Sequence, residues 1–164
     1  MVNLFGILKT ELKLICKKIN IMSYNKILIA VDSSEYSMEA AKKGLELARQ
    51  LGAKAALIYV VDKSKGMGNV DAGIMPEEAM MVLKKEAEQT LDQLSAMFGG
   101  KELLKFMPEG NPTEDIIETA KTWEADLIVI GTHGRTGLKH LLMGSVAEHV
   151  IRHSKVSVMV VPSK

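Results

Sequence analysis

A chain of 164 residues is long enough for one domain with a substantial core, and 47% hydrophobic with 25% charged residues is ordinary for a globular protein. A formal net charge of +1 gives no general pull toward nucleic acid or acidic partners, and 4% aromatic residues leave little material for base-stacking platforms. The single cysteine, Cys16, excludes an internal disulfide and fits a reducing, cytoplasmic compartment.

The first stretch, Met1 to Met22, sets four lysines (Lys9, Lys13, Lys17, Lys18) against Glu11, a net +3. Leu4, Phe5, Ile7, Leu8, Leu12, Ile15 and Ile19 recur at roughly helical spacing, the pattern of a basic amphipathic helix. Lysines interrupt every long apolar stretch, against a transmembrane span. No apolar run leads to a small-residue cleavage site, against a secretory signal. Three readings of residues 1–22 stand: an extension upstream of a misassigned start, a segment lying on the domain or a partner, or a contact with an anionic membrane surface. Met22-Ser23-Tyr24-Asn25-Lys26 is a natural beginning for the domain, which is expected over residues 23–164.

From there strands and helices alternate. Lys26–Val31 reads as a strand. A helix follows over Ser37–Leu51, with Ala40, Ala41, Gly44, Leu45, Leu47, Ala48 and Leu51 on an apolar face and Gly52 as its stop. Ala55–Val61 reads as a second strand, and Asp62–Met75 as a loop carrying Gly66, Gly68 and Gly73. Pro76-Glu77-Glu78 opens a long helix, with proline in its first turn and acids at its positive end; Gly99-Gly100 ends it. Glu102–Met107 is a third strand. Thr113–Trp123 is a helix capped near Asn111-Pro112-Thr113. Asp126–Ile130 and Val156–Val161 are the last strands, with a helix from Ser145 to Ile151 between them. This alternation predicts a single doubly wound α/β domain on a five-stranded parallel sheet. The 11 methionines fall largely on helix faces and are expected to fill gaps in the core. The four histidines are scattered and have no cysteine pair beside them, so no structural zinc site is expected.

The loop after the fourth strand carries the chemistry. Gly131-Thr132-His133-Gly134 is followed by nine residues and then Gly144-Ser145, where a helix opens. Gly131 alone is an ordinary turn glycine. The whole set is a glycine-rich loop that leaves a strand end and finishes at a helix amino terminus. Glycines let backbone N–H groups approach an anion closely, and the helix end adds N–H donors and positive partial charge. Ser145 adds a hydroxyl. Arg135 offers electrostatic help to a polyphosphate, whereas Lys139 reads as solvated charge. No Gly-x-x-x-x-Gly-Lys-Ser/Thr is present, and Asp32-Ser33-Ser34-Glu35 follows the first strand where a dinucleotide-binding domain has Gly-x-Gly-x-x-Gly.

Gly-x-x-Gly, nine residues, Gly-Ser resembles the nucleotide loop of the universal stress protein family, in its ATP-binding subgroup. Lys26–Ser34 resembles that family's first strand and terminal aspartate, Leu57–Asp62 its second strand, Gly110-Asn111-Pro112 its glycine-x-proline turn and Val156–Pro162 its last strand. The resemblance covers Ser23 to Lys164 and implies a Rossmann-like sheet of order 3-2-1-4-5. That order brings Asp32 and Gly131 to one crevice, where Asp32 accepts hydrogen bonds from a ribose or base. The competing role for Asp32 is a turn or cap residue before Ser37. The resemblance further implies that the backbone at Val60 and Val61 meets the adenine edge and that Gly110 lies near ribose or phosphates. Gly131, Gly134, Gly144, Ser145 and Val146 would surround the phosphates through main-chain donors. The implied ligand is ATP, with Mg2+ or Mn2+ carried by its phosphates.

His133 reads as a loop imidazole bonded locally rather than as a base. Fast hydrolysis needs a positioned water and a stabiliser of the transferring charge, and no such set is evident. The expectation is a nucleotide-dependent switch or sensor in stress response, at most a weak ATPase or autophosphorylating protein. The rivals are a nucleotide-free dimeric interaction protein of the same fold and a nucleotidyl-transfer enzyme, the latter disfavoured by the first strand–helix turn. Val156–Val161, apolar and at a sheet edge, predicts a homodimer through that strand.

Overall fold

The computed structural model describes residues 24–67, 75–97, 103–133 and 143–162. The expectations for residues 1–22, Gly134, Arg135 and Lys139 therefore lie outside the described residues. Strands β1 (Lys26–Ala30), β2 (Lys54–Ile58), β4 (Leu104–Phe106), β6 (Leu127–Gly131) and β7 (Ser157–Val161) form one parallel sheet in the order β4-β2-β1-β6-β7. In chain order of its members this is 3-2-1-4-5, as expected. Helices α1 (Glu35–Leu51), α2 (Pro76–Met97), α3 (Pro112–Thr122) and α4 (Ser145–His153) flank it.

Successive side chains of a strand point to opposite faces, and the core divides accordingly. Ile27 and Ile29 of β1 pack with Ala40, Ala41, Leu45 and Ala48 of α1 and with Ala87, Leu91 and Leu94 of α2. Leu28 and Ala30 pack with Ile116 and Ala120 of α3 and with Ala147 and Val150 of α4. Both faces are covered, which is why β1 and β6 read as unbroken apolar runs. At the lower end, Asp126 accepts the main-chain N–H of Asn25 (2.7 Å) and of Lys26 (3.1 Å), joining the start of β1 to the start of β6.

Gly52 closes α1 at φ 66°, and Asn111 caps α3 with Pro112 as its first residue, where the sequence placed these ends; α1 itself starts at Glu35 rather than Ser37, capped by Ser34, whose hydroxyl accepts the Ser37 N–H. Two expectations are corrected. The second strand does not run to Val61: β2 stops at Ile58, and β3 (Val61–Asp62) pairs with β5 (Glu109–Gly110) in a separate two-stranded ladder. The cause lies on the partner, where Pro108 between β4 and β5 has no N–H to donate. The methionines also divide. Met38, Met80, Met107 and Met159 pack against the core, but Met67, Met75, Met81 and Met97 are exposed. No described helix is long and apolar enough to cross a membrane.

Candidate functional site

Strand order reverses between β1 and β6, and a cavity of about 290 Å³ opens there beyond their carboxyl ends. It is closed on one side by Pro112 and Ile116 of α3 and on another by the turn after β3. Of the predicted residues, Asp32, Val60, Gly131, Gly144, Ser145 and Val146 line it together.

The two described ends of the glycine-rich loop meet. Thr132 N–H donates to Val161 O (2.9 Å), and Gly144 N–H donates to Thr132 O (2.7 Å). The loop therefore leaves β6 and returns to the same spot, where α4 begins. A Cβ at Gly131 would lie 3.3 Å from the His133 carbonyl oxygen and 3.5 Å from that of Tyr36, so the strand end is closely walled by backbone. Gly144 is the N-cap of α4, and no side chain caps that end. The first bond of the helix runs from Glu148 N–H to Gly144 O (3.0 Å). The N–H groups of Ser145, Val146 and Ala147 consequently have no acceptor within the helix, and all three residues line the cavity. Together with the helix dipole they form a positive end suited to an anion. Gly144 differs from its expected role: its N–H is engaged by Thr132, so it contributes space rather than a donor.

Across the cavity stands Asp32. Its Oδ1 accepts the Ser34 N–H at 2.9 Å and the Ser34 hydroxyl, and its carbonyl accepts the Ser37 hydroxyl. Asp32 thus builds the entry to α1, and the same residue lines the crevice. Asp62 and Lys65 form the remaining charged wall. Asp62 Oδ1 accepts the Ser64 N–H at 3.0 Å, and Lys65 Nζ lies 3.8 Å from Asp62 Oδ2.

Two predicted residues stand apart. Val61 is 1% exposed within the core, and its N–H donates to Pro108 O at 2.8 Å, so that donor is not offered to the cavity. Val60, beside it, does line the wall. Gly110 sits in the β3–β5 ladder, where a Cβ would overlap the Asp115 carboxylate. Its glycine answers packing against α3, and Pro112 and Ile116 take the wall instead. Sequence reasoning passed over Ser37, Tyr59, Asp62, Lys65 and Thr132. Only Thr132, inside the glycine motif, and Asp62, at a strand end, carried a signal. His133 also lines the cavity, with Nδ1 3.1 Å from Thr132 Oγ1 and its ring 6.0 Å from that of Tyr36. Among the described residues no three His, Cys, Asp or Glu side chains gather to hold a metal ion.

The model of the universal stress protein family matches residues 23–162. The universal stress protein MJ0531 of Methanocaldococcus jannaschii is 41% identical over 140 residues, 84% of this chain and 82% of that protein. The structure of the universal stress protein UspA from Lactobacillus plantarum superposes with a TM-score of 0.75 at 26% identity, covering 84% of this chain and 97% of that one. The universal stress protein from Archaeoglobus fulgidus, solved in complex with dAMP, shares the fold with a TM-score of 0.56 at 24% identity, covering 85% and 98%.

Proposed function

Because the chain belongs to the universal stress protein family, we propose that its cavity binds an adenine nucleotide, ATP, and that the protein acts as a nucleotide-dependent switch or sensor in stress response. One observation carries the reading: Ser145, Val146 and Ala147, whose N–H groups have no helical acceptor, line the same cavity as Asp32. The donor set suits phosphate, and the carboxylate suits a ribose hydroxyl or a base amine. The Archaeoglobus fulgidus relative has an adenine nucleotide as its own ligand. In this proposal the phosphates lie over Gly131, Gly144 and the first turn of α4, with Gly134 and Arg135 supplied by the loop. Val60 borders the base. Mg2+ or Mn2+ arrives on the phosphates, since two or more oxygens of the nucleotide supply the hard ligands such ions prefer.

Among the described residues no pair of groups on the cavity wall is arranged both to position a water and to neutralise a transferring phosphoryl group, and the proposal is of slow turnover at most. The protein works in the cytoplasm as a homodimer paired through β7, an edge strand whose Ser157 to Val160 are half-buried. Val158→Lys should give monomers in sedimentation, and an unchanged dimer would place the interface elsewhere.

The test of binding is analysis of small molecules released by denaturing freshly purified protein, with Gly144→Val beside it. Gly144 has φ −74° and ψ 153°, which valine adopts readily, so the variant keeps its backbone and fills the space before α4. ATP or ADP from the parent protein and none from the variant supports the proposal. No nucleotide, and no binding of added Mg-ATP, leaves a nucleotide-free dimeric interaction protein.

A further inference from the structure

Read one at a time, the histidines look scattered, yet His149 and His153 are four residues apart on α4. One turn of helix brings such side chains to the same face, and here their rings stack with centroids 4.0 Å apart and planes 25° from parallel. His153 Nδ1 lies 2.9 Å from His149 O. A carbonyl oxygen only accepts, so Nδ1 carries the proton and Nε2 of the neutral ring keeps its lone pair. A metal-binding histidine is commonly prepared in this way: one ring nitrogen donates to a backbone carbonyl, which fixes the tautomer and the ring orientation, and the other is left for the ion.

We propose that His149 and His153 form a two-histidine site for a borderline divalent transition-metal ion, zinc, nickel or copper. Imidazole suits these ions, whereas magnesium and calcium prefer oxygen ligands. His153 is exposed and His149 half-buried, so an ion reaches the pair from solvent. Zinc–imidazole bonds are ~2.0–2.1 Å long, and in this proposal the rings tilt out of their stack so that one nitrogen of each meets the ion. His153 lies in the last turn of α4, where the helix dipole favours a cation, and His149 one turn before it. Arg152, the nearest opposing charge in sequence, is held by Glu148 at 2.9 Å. No third metal-ligating side chain joins the pair among the described residues. Water completes the coordination, and the site is exchangeable rather than structural.

The experiment titrates the full chain with Zn2+, Cu2+ and Mg2+ by calorimetry, and records the Cu2+ EPR spectrum. One equivalent of Zn2+ or Cu2+ is expected, tighter for Cu2+, with no Mg2+ bound at the same concentrations. Coupling to two nitrogens is expected in the spectrum. His149→Ala and His153→Ala should each weaken binding by roughly tenfold or more, since loss even of an outer partner of a ligand costs that much, and each should reduce the coupling to one nitrogen. Neither side chain belongs to the buried core, and circular dichroism of each variant confirms the fold. Absence of saturable binding overturns the proposal. So does binding that survives both substitutions, which would assign it to other donors, or equal binding of Mg2+. Nucleotide release from the two variants should match the parent protein, which separates this site from the cavity at the other end of α4.

Discussion

Gly44→Ala sets two physical rules against each other. Alanine inside a helix is favoured over glycine by about 1 kcal/mol, so propensity alone predicts a more stable protein. Gly44, however, is buried where α1 crosses the sheet, and a Cβ there would lie 2.9 Å from both Cδ1 and Cγ1 of Ile29 and 3.3 Å from Val129 Cβ. Ile29 is fully buried and branched, and its neighbour Val129 is fully buried as well, so neither yields without disturbing the core. Overpacking of this kind costs about 1–3 kcal/mol. The difference is a net destabilisation of up to about 2 kcal/mol, or a fall in melting temperature of about 2–4 °C for each kcal/mol in a domain of this size. The assay is thermal or urea unfolding of the parent and Gly44→Ala, with Ile29→Val and the double variant. Removing Cδ1 relieves one of the two Ile29 contacts, so the double variant should be more stable than the sum of the singles predicts. A raised melting temperature for Gly44→Ala would refute the reasoning, because it would mean that α1 does not depend on this close approach to β1 and β6.

Three further changes test other joints. Asp126→Ala removes the acceptor of two main-chain N–H groups and should cost about 1–2 kcal/mol, read as a lower urea midpoint at unchanged slope. Gly110→Ala should destabilise by about 1–3 kcal/mol through overlap with the Asp115 carboxylate, and Asp115→Ala should relieve much of that loss. Lys84 Nζ lies 2.7 Å from Glu109 Oε1, and this hydrogen bond, aided by the charges of Lys84 and Lys63 against a smaller desolvation effect, holds the Glu109 carboxyl below its ordinary value. A carboxyl lowered in the folded state contributes stability that is present above its ordinary pKa and lost as pH falls through the lowered one. NMR titration should therefore show Glu109 ionising below the ordinary glutamate range, and Lys84→Met should raise it; no change would remove Lys84 as the cause.

The parts of the fold legible in the sequence are those with a local cause. β1 and β6 announce themselves as apolar runs because both faces are covered, and Gly52 and Asn111 mark helix ends through their own chemistry. The break between β2 and β3 is not local. Ala55–Val61 is apolar throughout, and the interruption is imposed by Pro108, some fifty residues away on the partner strand. Val61 therefore seemed available to a ligand, while the ladder had already taken its N–H. Gly110, placed near ribose or phosphates by the family resemblance, does not line the cavity, because the space beside it is filled by Asp115 of the following helix. Lys65 lies in a polar stretch that gave no indication of facing the cavity. His149 and His153 are one His-x-x-x-His spacing that reading the histidines as scattered overlooked, and the folded helix shows their rings in contact.

The loop ends and the edge strand form one hydrogen-bonded unit, and this has a measurable consequence. Val161, the last residue of β7, pairs with Gly131 in register and accepts the Thr132 N–H; Thr132 in turn accepts the Gly144 N–H at 2.7 Å. The start of α4 is therefore anchored to the sheet through two successive carbonyls rather than through its own side chains, since its N-cap has no side-chain bond. Amides in such a relay open only when the strand that holds them opens. Thr132 and Gly144 should then exchange their amide hydrogens about as slowly as Val160 and Val161, although both flank a long loop. The measurement is native-state exchange by NMR on the ligand-free protein. Rapid exchange at Gly144 beside slow exchange in β7 would show that α4 begins independently of the sheet, and that the donors of its first turn are placed by something other than this relay.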